Sequence, residues 1–245
     1  MKKTILILLN VISFSFLTIA QEIDVLKPTS NDVSFEVSFY PNNSIAPINL
    51  NYLRGRYFMN DKIAIRMGID LANKKQKTEY VNNYTHDGNP IDVNNDIQEC
   101  SCFLIGIHPG IELHLSNSKR LSPYIGVEIS YITKSSNEDY EDYYVEYDAG
   151  SYTILSEKTK YEGAWMGNFQ RAYSKFGVNA LLGTDFYVTK HLYLGFEIGI
   201  GLLSCTNNEI TKKVDDDDKD VVVPESKYSD FGVNVNNAIR LGFWF

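Results

Sequence analysis

From Val33 onward apolar and polar residues alternate with a period of two, the mark of strands with two unlike faces. The first strand, near 33–40, sets Val33, Phe35, Val37 and Phe39 against Ser34, Glu36 and Ser38. The second, 48–58, is less clean, because Ile48, Leu50 and Tyr52 would share a face with Arg54 and Arg56. A bulge near Leu53 would turn both arginines to the polar side. The third, 62–72, sets Ile63, Ile65, Met67, Ile69 and Leu71 against Arg66, Gly68 and Asp70. The fourth, 101–115, places His108, Gly110, Glu112 and His114 opposite an isoleucine-rich face, with a bulge expected at Pro109. The fifth (123–133), sixth (175–188) and seventh (192–204) continue the pattern, with Tyr124, Glu128, Asp185, Tyr187, Tyr193 and Glu197 on the polar side. The eighth, 230–245, sets Phe231, Val233, Val235, Ile239, Leu241, Phe243 and Phe245 against Gly232, Asn234, Asn236, Arg240 and Gly242, with Asn237 the polar exception on the first face.

Alternation alone leaves open whether the apolar face is a core or meets lipid, since soluble sandwiches also alternate. Four features favour lipid. Short turns at 59–62, 116–122 and 189–191 separate longer polar connections at 41–47, 73–99, 134–174 and 205–229, as in barrels with short periplasmic turns and long external loops. The polar face is rich in glycine, which weakens a solvent-facing sheet but suits a narrow lumen. Charges sit in mid-strand on that face, where acids and arginines can pair across a lumen. Aromatics gather at strand ends: Tyr57, Phe58, Phe186, Phe243 and Phe245 near the short turns; Phe39, Tyr52, Tyr131, Phe176 and Phe231 near the long loops. The predicted fold is all-β: an eight-stranded antiparallel up-and-down transmembrane β-barrel over residues 33–245.

The remaining composition narrows the picture. Residues 1–20 read as a secretory signal peptide: Lys2 and Lys3, an apolar run from Ile5 to Phe16, then Thr18-Ile19-Ala20. A periplasmic segment, 21–32, leads into the barrel. The formal charge of −8 argues against a nucleic-acid partner. Three cysteines allow one bridge, Cys205 with Cys100 or Cys102, or none.

The signal peptide, the eight amphipathic strands and the terminal Leu241-Gly-Phe-Trp-Phe245 resemble small bacterial outer-membrane proteins of the OmpA-transmembrane-domain and OmpX type. The segment Arg56 to Gly68 resembles a hairpin of the "outer membrane protein beta-barrel domain" proteins. The resemblance implies insertion in the bacterial outer membrane. It also makes Phe245 part of the signal read by the barrel-assembly machinery.

Candidate chemistry lies inside and above the barrel. Glu36, Arg66, Glu112, Glu128, Asp185, Glu197 and Arg240 form a predicted lumenal charge network, able either to fill the barrel or to line a pore. Strands seven, eight and one would set Glu197, Arg240 and Glu36 side by side. The tyrosine-rich connection 134–174, with Trp165 and Phe169, offers a binding surface along with 73–99 and 205–229, and parts of it, such as Tyr144–Ile154, suit a hairpin that extends the flanking strands. Asp215–Asp218 with Asp220 match no calcium-loop spacing and read as a solvated charge run. No nucleophile–base pair stands out, and His108 and His114 read as lumen-filling residues. The expected role is therefore non-enzymatic, structural or surface-interacting, without cofactor or metal. A narrow pore and a lipid-modifying enzyme are the alternatives.

Overall fold

The computed structural model describes residues 26–39, 48–115, 118–148, 150–165, 170–215, 220–234 and 239–245. Residues 1–25, which include the stretch read as a signal peptide, the 41–47 loop, Asp216–Asp218, Phe169, Val235, Asn236 and Asn237 lie outside them. The described strands are β1 (Val33–Phe39), β2 (Ile48–Phe58), β3 (Ile63–Tyr80), β4 (Tyr84–His86), β5 (Asn89–Ile91), β6 (Asp96–His114), β7 (Leu121–Asp148) and β8 (Ser151–Glu162). They continue with β9 (Ala164–Trp165), β10 (Gln170–Arg171), β11 (Tyr173–Tyr187), β12 (Leu192–Asn207), β13 (Ile210–Val214), β14 (Val221–Val223), β15 (Ser226–Asn234) and β16 (Ile239–Trp244).

Eight staves close into a ring. The hydrogen-bonded order runs β11-β12-β16-β1-β2-β3-β6-β7, and β7 returns to β11. β15 continues the β16 stave, pairing with β12 above it. All ring pairings are antiparallel, so no edge is left where the ring is complete. Val33 and Phe245 exchange both backbone hydrogen bonds at 3.0 Å, at the end that carries the short turns.

The barrel is inside out relative to a soluble protein. Its apolar face points outward all round the ring: Phe35 is 58% exposed, and Met67, Ile107, Val127, Leu182, Phe196 and Phe243 are exposed with it. The alternating polar residues are buried, with Arg66, Asp185 and Arg240 at 0%. An exposed apolar band this extensive is stable only against lipid.

Several sequence expectations are corrected. The stretch 73–99 is not a loop for most of its length, and within 134–174 the strand extension expected around Tyr144–Ile154 is present and reaches further than that. β3 and β6 pair without interruption up to Tyr80 and Asp96, and β7 and β8 form a long hairpin as far as Asp148 and Ser151. There the inner face is polar too, with Lys134, Ser136 and Glu138 buried on it, so the hydrophobic alternation vanishes while backbone pairing continues. Pro109 causes no bulge: β6 and β7 stay in register on either side of it.

β2 slips relative to β1: Val37 opposes Leu53, yet Ser38 opposes Asn49. The extra residues, ending at Tyr52, reset the phase. Tyr52, Arg54, Arg56 and Phe58 therefore all point inward and are buried, while Leu53 and Tyr57 point out. Tyr52 and Phe58 are thus lumenal, not members of the aromatic girdles. Of the cysteine arrangements open to the sequence, the structure takes the unbridged one: Cys100, Cys102 and Cys205 are free thiols. Two staves, β7 and β11, separate β6 from β12.

Candidate functional site

The lumen is filled in three layers. At the short-turn end Leu26 packs on Tyr187 and Tyr193, with Trp244 against them. Residues 26–32 thereby fold back across this end, held by Asn31 N donating to Phe58 O at 2.8 Å.

The middle layer is ionic. Arg56 lies 2.7 Å from Glu36, 2.9 Å from Glu112 and 2.7 Å from Asp185. Arg66 lies 2.9 Å from Glu112, 2.8 Å from Glu128 and 2.7 Å from Glu197. Arg240 lies 2.9 Å from Glu36, 3.2 Å from Asp185 and 3.8 Å from Glu197. Arg54 reaches Glu36 and Glu197, both at 3.3 Å. Tyrosines stitch the layer: Tyr124 donates to Glu197 at 2.5 Å, Tyr193 to Glu36 at 2.9 Å, and Arg240 donates to Tyr124 at 2.6 Å. Every one of these side chains is essentially out of solvent, so each charge depends on its partners.

All seven charges proposed from sequence lie in this layer. Arg54 and Arg56 join them, as the bulge expected near Leu53 implied, although the slip of β2 that turns them inward falls at residues 50–52. The tyrosines carry a readable signal. Tyr193 faces Gly242 and Tyr124 faces Gly183 in direct cross-strand register, a large ring lying over a residue without a side chain. His108 bridges Ser130 and Asp70 at 2.9 and 2.8 Å, and His114 contacts Ser122 at 2.9 Å and Glu112 at 3.3 Å. Both histidines fill the lumen.

The third layer closes the opposite mouth. β9 and β10 form a small inserted hairpin whose Trp165 is buried, with the Lys74 ammonium 4.6 Å above its ring. Lys134 donates to Gln170 beside it. Arg171 pins the hairpin through its guanidinium, donating to Asn208 O at 2.8 Å and Pro224 O at 2.7 Å.

Above the mouth, β3, β6, β7, β8, β13 and β14 continue as a sheet. The β4–β5 hairpin docks on it. Tyr147 donates to Thr85 O at 2.8 Å, and His86 packs on Tyr147 and Tyr152. Asp96 is the hub below, accepting from Asn82 Nδ2 at 2.7 Å and from Tyr143 N at 2.9 Å. Burial alone would raise the Asp96 carboxyl, but these donors, with Asp142 and Tyr140, hold it below its ordinary value. Burial and the facing Asp96 and Glu157 carboxylates push Asp142 up while Asp96 is held down, the directions in which the two aspartates can share one proton.

A raised carboxyl stabilises the fold at low pH and loses that contribution as pH rises through its folded value. Asp142→Asn keeps the proton's hydrogen bond without the charge. The wild type should loosen at the β4–β5 hairpin from acidic to neutral pH, as read by the rate of proteolytic nicking near Asp87, and Asp142→Asn should abolish that dependence. Equal pH dependence in both proteins would contradict the shared proton.

A sequence profile of the OmpA-OmpF-like porin family matches residues 40–214. The chain belongs to that family. It is an outer-membrane β-barrel, with the exposed apolar wall and buried polar lumen that such a barrel requires. Two solved structures from Pseudomonas aeruginosa match the chain at low similarity. One is the N-terminal β-barrel domain of OprF, at 10% identity and a TM-score of 0.28 over 89% of this chain and 100% of that one. The other is the outer membrane protein OprG, at 12% identity and a TM-score of 0.38 over 91% and 99%. No curated protein matches the sequence.

Proposed function

We propose that this porin-family member is a closed, non-enzymatic barrel, exported through its signal peptide, whose work is done by the sheet above the membrane. The observation that carries this reading is the filling of the lumen: an apolar layer, an interlocked ionic layer and a tryptophan-centred cap lie in series. A conducting path needs continuous water, and in an eight-stranded barrel side chains leave little room for it. Most of the polypeptide's extra length goes into β7, β8, β13 and β14, a rigid platform that presents Tyr144, Tyr147 and Tyr152 to the outside. Rigid tyrosines give contact area at low entropy cost, which suits a surface-interaction role. On this reading Phe245, which stacks on Phe35 at 6.0 Å at the ring closure, serves as the signal for the assembly machinery before the ring shuts.

The porin name of the family favours a second reading, a narrow pore through the same lumen. Planar-bilayer recording of the refolded protein separates the two. The closed reading expects no stepwise conductance from the wild type. Discrete steps that Arg240→Ala enlarges would establish the pore instead.

A further inference from the structure

Three lysines meet at the barrel mouth without a matching acid. Lys74 of β3, Lys134 of β7 and Lys175 of β11 fall on the lumenal phase of their staves, in step with the buried Arg66, Ser130 and Asn179. A chain of contacts joins them. The Lys74 ammonium stands 4.6 Å above the Trp165 ring. Trp165 faces Gln170 across the small hairpin, and Lys134 donates to Gln170. Lys134 and Lys175 then share the Tyr173 ring, at 5.5 and 4.2 Å from its centre.

These partners are ring faces and a neutral amide, which hold an ammonium group without cancelling its charge. Among the described residues none of the three lysines forms an ion pair. The lumenal acids on either side are engaged elsewhere. Below Lys74 on β3, Asp70 holds His108 at 2.8 Å; above Lys134 on β7, Glu138 accepts from Gln98 Nε2. Lys134 is only 8% exposed, so its charge is withdrawn from water with no acid to offset it.

Two further observations point into the same space. Lys74, Cys102 and Ser136 face one another in register across β3, β6 and β7. The Ser136 hydroxyl is buried and has no hydrogen-bond partner, where a buried hydroxyl is ordinarily satisfied. The space is also open. Lys74 is exposed although it lies on the lumenal phase, and the inward Asp70 side chain below it keeps 23% exposure.

We propose that the mouth is a binding site for a small multivalent oxyanion of the phosphate class, taken from the external medium. The three ammonium groups supply the attraction, and Ser136 Oγ adds a neutral donor. Coulomb attraction grows with the charge of the ligand, so phosphate is favoured over chloride. The lumenal phase of all three lysines turns them away from lipid phosphates, which lie outside the wall. The ligand is therefore free phosphate and not a headgroup.

The test is equilibrium dialysis of the refolded protein, in nonionic detergent micelles at constant ionic strength, against radiolabelled orthophosphate. The wild type should take up phosphate saturably. Sulfate should displace it; chloride at the same ionic strength should not, nor should phosphatidic acid added to the micelles. Lys74→Gln, Lys134→Gln and Lys175→Gln together should weaken binding by about tenfold or more. Ser136→Ala should weaken it with no change of charge. Heat-shifted gel mobility verifies that each variant is folded, and if the triple variant is not, the exposed Lys74→Gln alone carries the comparison. An external control, Lys158→Gln with Lys160→Gln and Lys213→Gln, should bind as the wild type does. No saturable uptake by the wild type, unchanged affinity in the mouth variants, or an equal loss in the external control overturns the proposal. So does displacement by chloride, which would mean diffuse attraction only, or by phosphatidic acid, which would place the site on the lipid face.

Discussion

Replacing Arg56 by alanine should cost the barrel about 3–5 kcal/mol, the usual penalty for removing one partner of a buried ionic cluster. Arg56 is completely buried and is shared by Glu36, Glu112 and Asp185. Arg240 still serves Glu36 and Asp185 after the substitution, and Arg66 still serves Glu112. What is lost is the cation that stands among all three carboxylates. Its removal leaves excess negative charge in a space with no water to solvate it. The guanidinium also covers the Tyr193 ring at 5.0 Å and the Phe58 ring at 5.5 Å, so packing is lost along with charge. The measurement is the urea midpoint of the heat-shifted gel band. Adding Glu112→Gln to the Arg56→Ala background should recover part of the loss, because it removes one stranded charge. An unchanged midpoint in Arg56→Ala would mean that the lumen is hydrated rather than filled.

The second large effect concerns a glycine. A Cβ at position 242 would run into the ring of Tyr193, which lies flat over it on the neighbouring strand. Both backbones belong to the closed ring and cannot part without breaking ladder hydrogen bonds. Gly242→Leu should therefore destabilise by about 1–3 kcal/mol or more through overpacking alone. The two positions should be strongly coupled. Tyr193→Ala empties the space that a leucine side chain at position 242 needs, so the double variant should be no less stable than Tyr193→Ala by itself. Urea titration of the four proteins completes the cycle. Simple addition of the two losses would show that the ring can swing away, and that glycine there serves some other purpose.

The platform was the least legible part of the molecule. Within the bilayer, lipid on one side and packed side chains on the other impose opposite demands on neighbouring residues, and the period of two reports this directly. Above the bilayer the strands from Asn73 to Tyr80 and from Lys134 to Asp148 have water or polar neighbours on both faces, so nothing in their composition distinguishes strand from loop. Trp165 could be singled out as an aromatic in a tyrosine-rich stretch, but not as the stopper of the barrel mouth. Its burial depends on Lys74 and on the anchoring of Arg171, contacts that join distant segments.

Taken by itself, the sequence determined the inward and outward face of nearly every membrane strand, and with them the buried acids and arginines of the lumen. That information is local, because the direction of a side chain follows from its neighbours in the strand. The tertiary structure decided two further things. Pairing with β1 decided where the phase of β2 resets, over residues 50–52 and not at the bulge expected near Leu53, so that Tyr52 and Phe58 turn inward along with Arg54 and Arg56. Ring closure decided which charges meet. Arg66 and Glu197 stand 131 positions apart in the chain, and Arg240 and Glu36 stand 204 apart. The order of strands in a closed ring already set Glu197, Arg240 and Glu36 side by side, and they do meet, but no pattern along a strand specifies the partners of Arg56 and Arg66 across the lumen. They are chosen when β7 joins β11 and β16 joins β1, and a narrow lumen forces every buried charge against an opposite one.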